Sequence, residues 1–204
     1  MIIALCGFMT AGKTLAGKAL AEKTGMRLID LDQYIEQKEG LDMESIFREK
    51  GEEYFRMAEE ASLKEIIDRT SPKETIDDAF PKETIANASL KETSIILSLG
   101  GGTPMNPACR ALLKERTKCF FLTCSPKVLA ERMLLLQNGR PLVKALLAEH
   151  PNSSPAEQLL LLETWATQKL QERLPLYQAC SIKTIDTSNW DVDSITAQIL
   201  SNIY

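Results

Sequence analysis

The most concentrated chemistry in this chain lies near its start. Gly7-Phe8-Met9-Thr10-Ala11-Gly12-Lys13-Thr14 spaces two glycines, a lysine and a threonine as a phosphate-binding P-loop does. Such a loop works through backbone N–H groups that curl around phosphate oxygens, and Gly12 permits that curl by lacking a Cβ. The N-terminus of the following helix adds partial positive charge at the same place. On this reading Thr10, Ala11, Gly12, Lys13, Thr14 and Leu15 hold a nucleoside triphosphate. Lys13 reaches the β- and γ-phosphates, and the Thr14 hydroxyl ligates Mg²⁺. A glycine-containing strand–helix turn without a ligand is the competing account. The apolar run before the loop and the amphipathic run after it argue against that account.

Four further groups carry usable chemistry. Asp30 and Asp32 follow the second apolar run. In an open parallel sheet the carboxyl ends of strands face the ligand crevice. If the strand continues through Asp30, the two carboxylates share one side of the chain. One then orients Mg²⁺ through water and the other takes a proton from a substrate hydroxyl. Capping of the next helix is an additional expected role for one of them. Arg56 and Glu59 stand three apart on a helical pattern, and a surface ion pair is the simplest account of them. Gly100, Gly101 and Gly102 end the third apolar run, where their entropic cost implies close approach by a ligand or another backbone. Arg140 and Arg173 complete the set, each by default a solvated charge.

These residues need a scaffold, and the pattern of the chain supplies one. Of its 204 residues 44% are apolar and 25% charged, which rules out wholesale disorder and suits one domain. Strands are expected at 2–6, 26–29, 94–99, 118–123 and 181–185, separated by helical patterns at 13–23, 52–68, 127–137, 157–172 and 192–201. The first helix is expected to bury Leu15, Ala16, Ala19 and Leu20. Strand alternating with helix gives an α/β fold, a parallel sheet covered on both faces. Two segments break the rhythm. A nine-residue unit beginning Pro72-Lys73-Glu74-Thr75 recurs from Pro81 and, altered, from Leu90, and reads as a tolerated surface insertion. A polar stretch at 148–155 reads as a loop, and its His150 as solvated. The formal net charge of −4 offers no footprint for nucleic acid, and no apolar run is long enough to span a bilayer. The N-terminal run reads as a first strand, not a leader. The five cysteines are scattered without zinc-site pairing, so buried free thiols are expected.

Taken in order, these motifs resemble shikimate kinase, a small P-loop enzyme of the nucleoside-monophosphate-kinase type. The resemblance rests on the P-loop, Asp30-x-Asp32, Phe55-Arg56-x-x-Glu59, Gly100-Gly101-Gly102, Arg140-Pro141-Leu142 and Arg173-x-Pro175-Leu176-Tyr177. It implies a five-stranded parallel sheet in a three-layer sandwich, a substrate-binding subdomain at about 31–68 and a lid at about 138–165, with the repeat insertion at about 69–93. It implies transfer of the ATP γ-phosphoryl group to the 3-hydroxyl of shikimate, with ATP and Mg²⁺ required. Asp32 then resembles the carboxylate that binds the substrate hydroxyls and acts as base, and Asp30 the one that positions Mg²⁺ through water. Arg56 and Arg173 resemble the pair that holds the substrate carboxylate, beside Gly100, Gly101 and Gly102. Lys13 and Arg140 resemble the cations at the transferring phosphate. A cytoplasmic monomer without nucleic-acid or membrane partners is also implied.

Thr10, where the family usually has Gly, and Leu15, where Ser or Thr is common, depart from the pattern. The adenine is the least defined contact, with Arg132 expected to stack on it and Asp186, Thr187 and Ser188 to line its edge. Two rival readings are another small-molecule kinase of this fold, gluconate-like, and a nucleotide-dependent interaction module. The glycine run with Arg56 and Arg173 argues against the first. Retention of Lys13, Asp32 and Arg140 argues against the second.

Overall fold

The computed structural model describes residues 1–70, 94–136 and 141–203. Five strands, β1 (Ile2–Cys6), β2 (Arg27–Asp30), β3 (Ile95–Ser98), β4 (Lys118–Thr123) and β5 (Lys183–Asp186), form one parallel sheet in the order β2-β3-β1-β4-β5. The helices are α1 (Lys13–Thr24), α2 (Leu31–Glu39), α3 (Met43–Thr70), α4 (Pro107–Arg116), α5 (Pro126–Leu135), α6 (Pro141–Ala148), α7 (Pro155–Cys180) and α8 (Val192–Leu200). A short 3-10 turn at Thr103–Met105 follows β3.

The central strand β1 is buried along its whole length, as a strand covered on both faces must be. Ile2, Ala4 and Cys6 join one core with residues of α2, α3, α4 and the end of α7. Ile3 and Leu5 join the opposite core with α1, α5, α8 and the first half of α7. That division is the period-two alternation of a strand. The pairs Leu5↔Ser98 and Asp30↔Ser98 bring the C-terminal ends of β1, β2 and β3 level with one another. The loops that follow these strands therefore share one edge, where the P-loop, Asp32 and the glycine run must meet.

Several expectations change in detail. Leu15 is 58% exposed, because the buried stripe of α1 is Ala16, Gly17 and Leu20. A Cβ at Gly17 would lie 2.8 Å from Leu28 Cδ1, so that glycine admits β2 to the helix. The extended chain stops at Asp30, which caps α2 by accepting from Gln33 N, and Asp32 sits in the first helical turn. The expected helix at 52–68 is the second part of α3. Its axis breaks at Gly51 (φ 82, ψ 171), a conformation only glycine adopts readily. Ahead of the break Ile46 is buried and the Phe47 ring packs 4.7 Å from that of Phe55. The repeated segment falls mainly at 71–93, outside the described residues.

A candidate phosphoryl-transfer site

The loop after β1 is wound by dihedral necessity. Gly7 (φ 146) and Gly12 (φ 90) take positive φ, and so does Thr10 (φ 61), where an L-residue carries a backbone cost of about 1–2 kcal/mol. The Thr10 hydroxyl donates to Met9 O at 2.6 Å, which partly offsets that cost. Lys13 Nζ folds back on the loop and donates to Gly7 O and Phe8 O, each at 3.0 Å. Arg132 Nη1 donates to Thr10 O and its Nη2 to Thr187 O, while Thr187 Oγ1 donates to Ala11 O. Arg132 and Thr187, expected at the adenine, thus brace the loop's carbonyls. Trp190, which sequence reasoning did not single out, lies against the loop. A Cβ on Gly12 would come 2.3 Å from Trp190 Cζ3.

Behind the loop, Thr14 Oγ1 donates to Asp30 Oδ2 at 3.1 Å and lies 3.4 Å from Ser98 Oγ. Ser98 was also missed, although its place just before the glycine run was a usable signal. Asp32 is drawn up to a pKa of about 6, first by burial and second by the charge of Asp30, with Lys13 pulling the other way. Such a carboxylate is ionised at neutral pH yet more basic than usual, as a general base requires.

The glycine run forms the facing wall, and its need for glycine is room, not dihedral, since none of the three has positive φ. A Cβ at Gly100 would lie 2.7 Å from Asp32 Oδ1, and one at Gly102 would lie 2.6 Å from Arg56 Nη1. At Gly101 the neighbours are the P-loop backbone itself, with Met9 N at 3.4 Å and Gly7 O at 3.6 Å. What approaches this run in the fold is therefore the side chains of Asp32, Glu59, Thr103 and Arg56 together with the P-loop. Arg56 Nη1 donates to Glu59 Oε2 at 2.9 Å. The expected surface ion pair is not one, because Glu59 is only 1% exposed. Glu59 also accepts from Thr103 Oγ1 at 2.6 Å, so its second oxygen is satisfied in the core. The buried pair fixes the Arg56 fork while leaving the guanidinium partly open to the crevice.

Arg173 and Tyr177 stand four apart on α7 and so share a face. The Arg173 guanidinium lies 5.5 Å from the Phe8 ring centroid, and Tyr177 Oη donates to Gly101 O at 2.6 Å. Burial raises the Tyr177 hydroxyl well above its ordinary pKa, so it remains a donor at any working pH. The structure thus brings Lys13, Thr14, Asp30, Asp32, Arg56, Arg173 and Gly100–Gly102 to one edge of the sheet. Arg140 lies outside the described residues.

Comparison with known proteins agrees with this geometry. The sequence profile of the shikimate kinase family matches residues 9–76 and 80–204. A shikimate kinase of Dehalococcoides mccartyi is 32% identical over 197 residues, 97% of this chain and 90% of that protein. One from Thermus thermophilus is 28% identical over 202 residues, 99% of this chain and 89% of that protein. Among solved structures, shikimate kinase from Acinetobacter baumannii in complex with shikimate superposes with a TM-score of 0.74 at 27% identity, covering 99% and 92% of the two chains. The Bacteroides thetaiotaomicron shikimate kinase gives 0.75 at 25% identity, covering 100% and 98%. With motifs, sheet order, crevice and whole-chain similarity in agreement, the chain belongs to the shikimate kinase family.

Proposed function

We propose that this protein transfers the γ-phosphoryl group of ATP to the 3-hydroxyl of shikimate, giving shikimate 3-phosphate and ADP. The observation that carries the reading is the glycine wall. It seats a basic carboxylate, Asp32, and a braced guanidinium, Arg56, against a P-loop. A small hydroxylated ring with one carboxylate needs that combination. Arg56 and Arg173 offer planar forks to the ring carboxylate, which lysine would not match. Asp32 accepts the proton of the attacking hydroxyl. The P-loop amides and Lys13 hold the phosphates, Lys13 exchanging its two carbonyl contacts for phosphate oxygens.

A magnesium ion suits the donors at this point, since the hard oxygen of Thr14 lies 3.1 Å from that of Asp30 and 3.4 Å from that of Ser98. Thr14 would hold the ion directly and Asp30 through water, and its charge would neutralise that of the phosphates. Residues 31–68 serve as the substrate-binding subdomain and 138–165 as a lid that brings Arg140 to the transferring phosphate and keeps water out. The family resemblance supports a monomer acting in the cytoplasm on small molecules alone. Among the described residues no helix is long and apolar enough to cross a membrane.

The test is ADP release from ATP and Mg²⁺ with and without shikimate, with product mass, and with gluconate, quinate and nucleoside monophosphates as competing acceptors. Shikimate-dependent release with a product one phosphoryl group heavier is expected. Equal release with gluconate, or none with shikimate while ATP still binds, would overturn the acceptor assignment.

A further inference from the structure

The fold gathers three of the five scattered cysteines. Cys6 ends β1, Cys119 lies on β4 and Cys180 ends α7, and their three Sγ atoms all lie within 4.8 Å of one another. The register explains the first two. Ala4 pairs with Cys119, so Cys6 stands two residues further along on the same face of the sheet. The end of α7 brings the third over them. All are deeply buried, with Cys6 and Cys119 at 0% and Cys180 at 3% exposure. Cys109 and Cys124 are buried as well, yet neither belongs to the group. Among the described residues this is the one place where three metal-ligating side chains converge so closely.

We propose that Cys6, Cys119 and Cys180 form a binding site for a soft, thiophilic monovalent cation of the copper(I) type. Ligand chemistry selects the cation. Thiolate sulfur favours soft ions over magnesium or calcium. Zinc prefers four ligands, and among the described residues the group offers three. A metal–sulfur bond of about 2.3 Å separates sulfurs by about 4.0 Å in a trigonal set, inside the observed limit of 4.8 Å. The ligands are thiolates, so binding releases the thiol protons to solvent and the affinity rises with pH. The bound ion would tie β1, β4 and α7 together immediately before Gly7. This site is separate from the phosphoryl-transfer residues and does not depend on which acceptor the enzyme uses.

The experiment is anaerobic titration of the purified protein with copper(I) held by a coloured bicinchoninate chelator. Wild type is expected to withdraw one equivalent per chain and to develop sulfur-to-copper absorption in the ultraviolet. Cys119→Ser and Cys180→Ser are expected to lose that capacity at least about tenfold, because two sulfurs without the third hold the ion less well. Cys124→Ser, outside the group, is expected to match wild type. No withdrawal by wild type, or equal withdrawal by Cys119→Ser, would overturn the site. Because a core substitution can unfold the chain, X-ray absorption of copper-loaded wild type gives an independent reading. Three sulfurs near 2.3 Å are expected. A shell of nitrogen and oxygen would overturn the proposal.

Discussion

The two sides of the crevice are built on opposite principles. On the phosphate side the contacts are backbone, and the loop's shape comes from dihedrals at Gly7, Thr10 and Gly12. Its carbonyls are braced by Lys13, Arg132 and Thr187. On the acceptor side the contacts are side chains, and the glycines there have ordinary dihedrals. They are needed because Asp32 and Arg56 press against them. A loop of backbone amides recognises what all nucleotides share, and it tolerates changes in outward side chains such as Leu15. A wall seated on hydrogen atoms tolerates almost none, since a single methyl group at Gly100 or Gly102 would move Asp32 or Arg56, the charges proposed to select the substrate.

That contrast can be broken in five places. Asp32→Asn removes the proposed proton acceptor and should lower kcat by about 10²–10⁴-fold, while ADP binding, measured by calorimetry, stays near wild type. Gly102→Ala should displace the Arg56 fork by about an ångström and cost about 100-fold in kcat/KM for shikimate. Gly101→Ala, whose nearest contact would be 3.4 Å, should cost far less. Equal losses at the two positions would refute the argument from room.

The third concerns pH. The Asp32 carboxyl protonates near 6 in the fold against an ordinary 3.8, so the native state binds this proton more tightly than the unfolded chain does. Raising the pH from below 3.8 through 6 therefore costs stability, by at most about 3 kcal/mol, and the cost persists above 6. Asp32→Asn should melt higher than wild type at pH 7–8 and no higher below pH 3.8. Wild-type kcat/KM for shikimate, by contrast, should fall as the pH drops through about 6. The fourth, Tyr177→Phe, strips the donor from Gly101 O and should cost about 1–3 kcal/mol in a denaturant melt. The last is Thr10→Gly, which relieves positive φ but loses the hydroxyl bond. Its effect on ATP affinity should stay within about 1 kcal/mol, the scale of the strain relieved. A larger effect would show that the phosphate side also depends on side-chain detail.

Much of the backbone side was legible in the sequence because its signals are local. The P-loop spacing, the strand before it and the Asp30 cap are each read within a few residues. The acceptor wall was legible as a list of residues, not as an arrangement. Arg56 and Glu59 look like any helical ion pair until Thr103, some forty positions away, closes over the glutamate. Leu15 was misassigned to the buried stripe because a leucine outweighs a glycine in any hydrophobic pattern. Yet Gly17 is the residue that lets β2 approach. Trp190 carried no motif, and the three thiols are 113 and 61 positions apart, so only the register of β1 with β4 and the packing of α7 bring them together.

Gly51 has a consequence for the dimensions of the molecule. Unbroken, the 28 residues of α3 would make a straight rod of about 42 Å. A chain of this length folds into a body only about 43 Å across. A rod as long as the protein is wide cannot keep both its ends on the core. A side chain at Gly51 would meet open space, yet it would disfavour the bent dihedrals and favour continuing the helix. One methyl group there, without touching anything, would favour an end of α3 that carries Ile46 away from the core and the Phe47 ring away from that of Phe55.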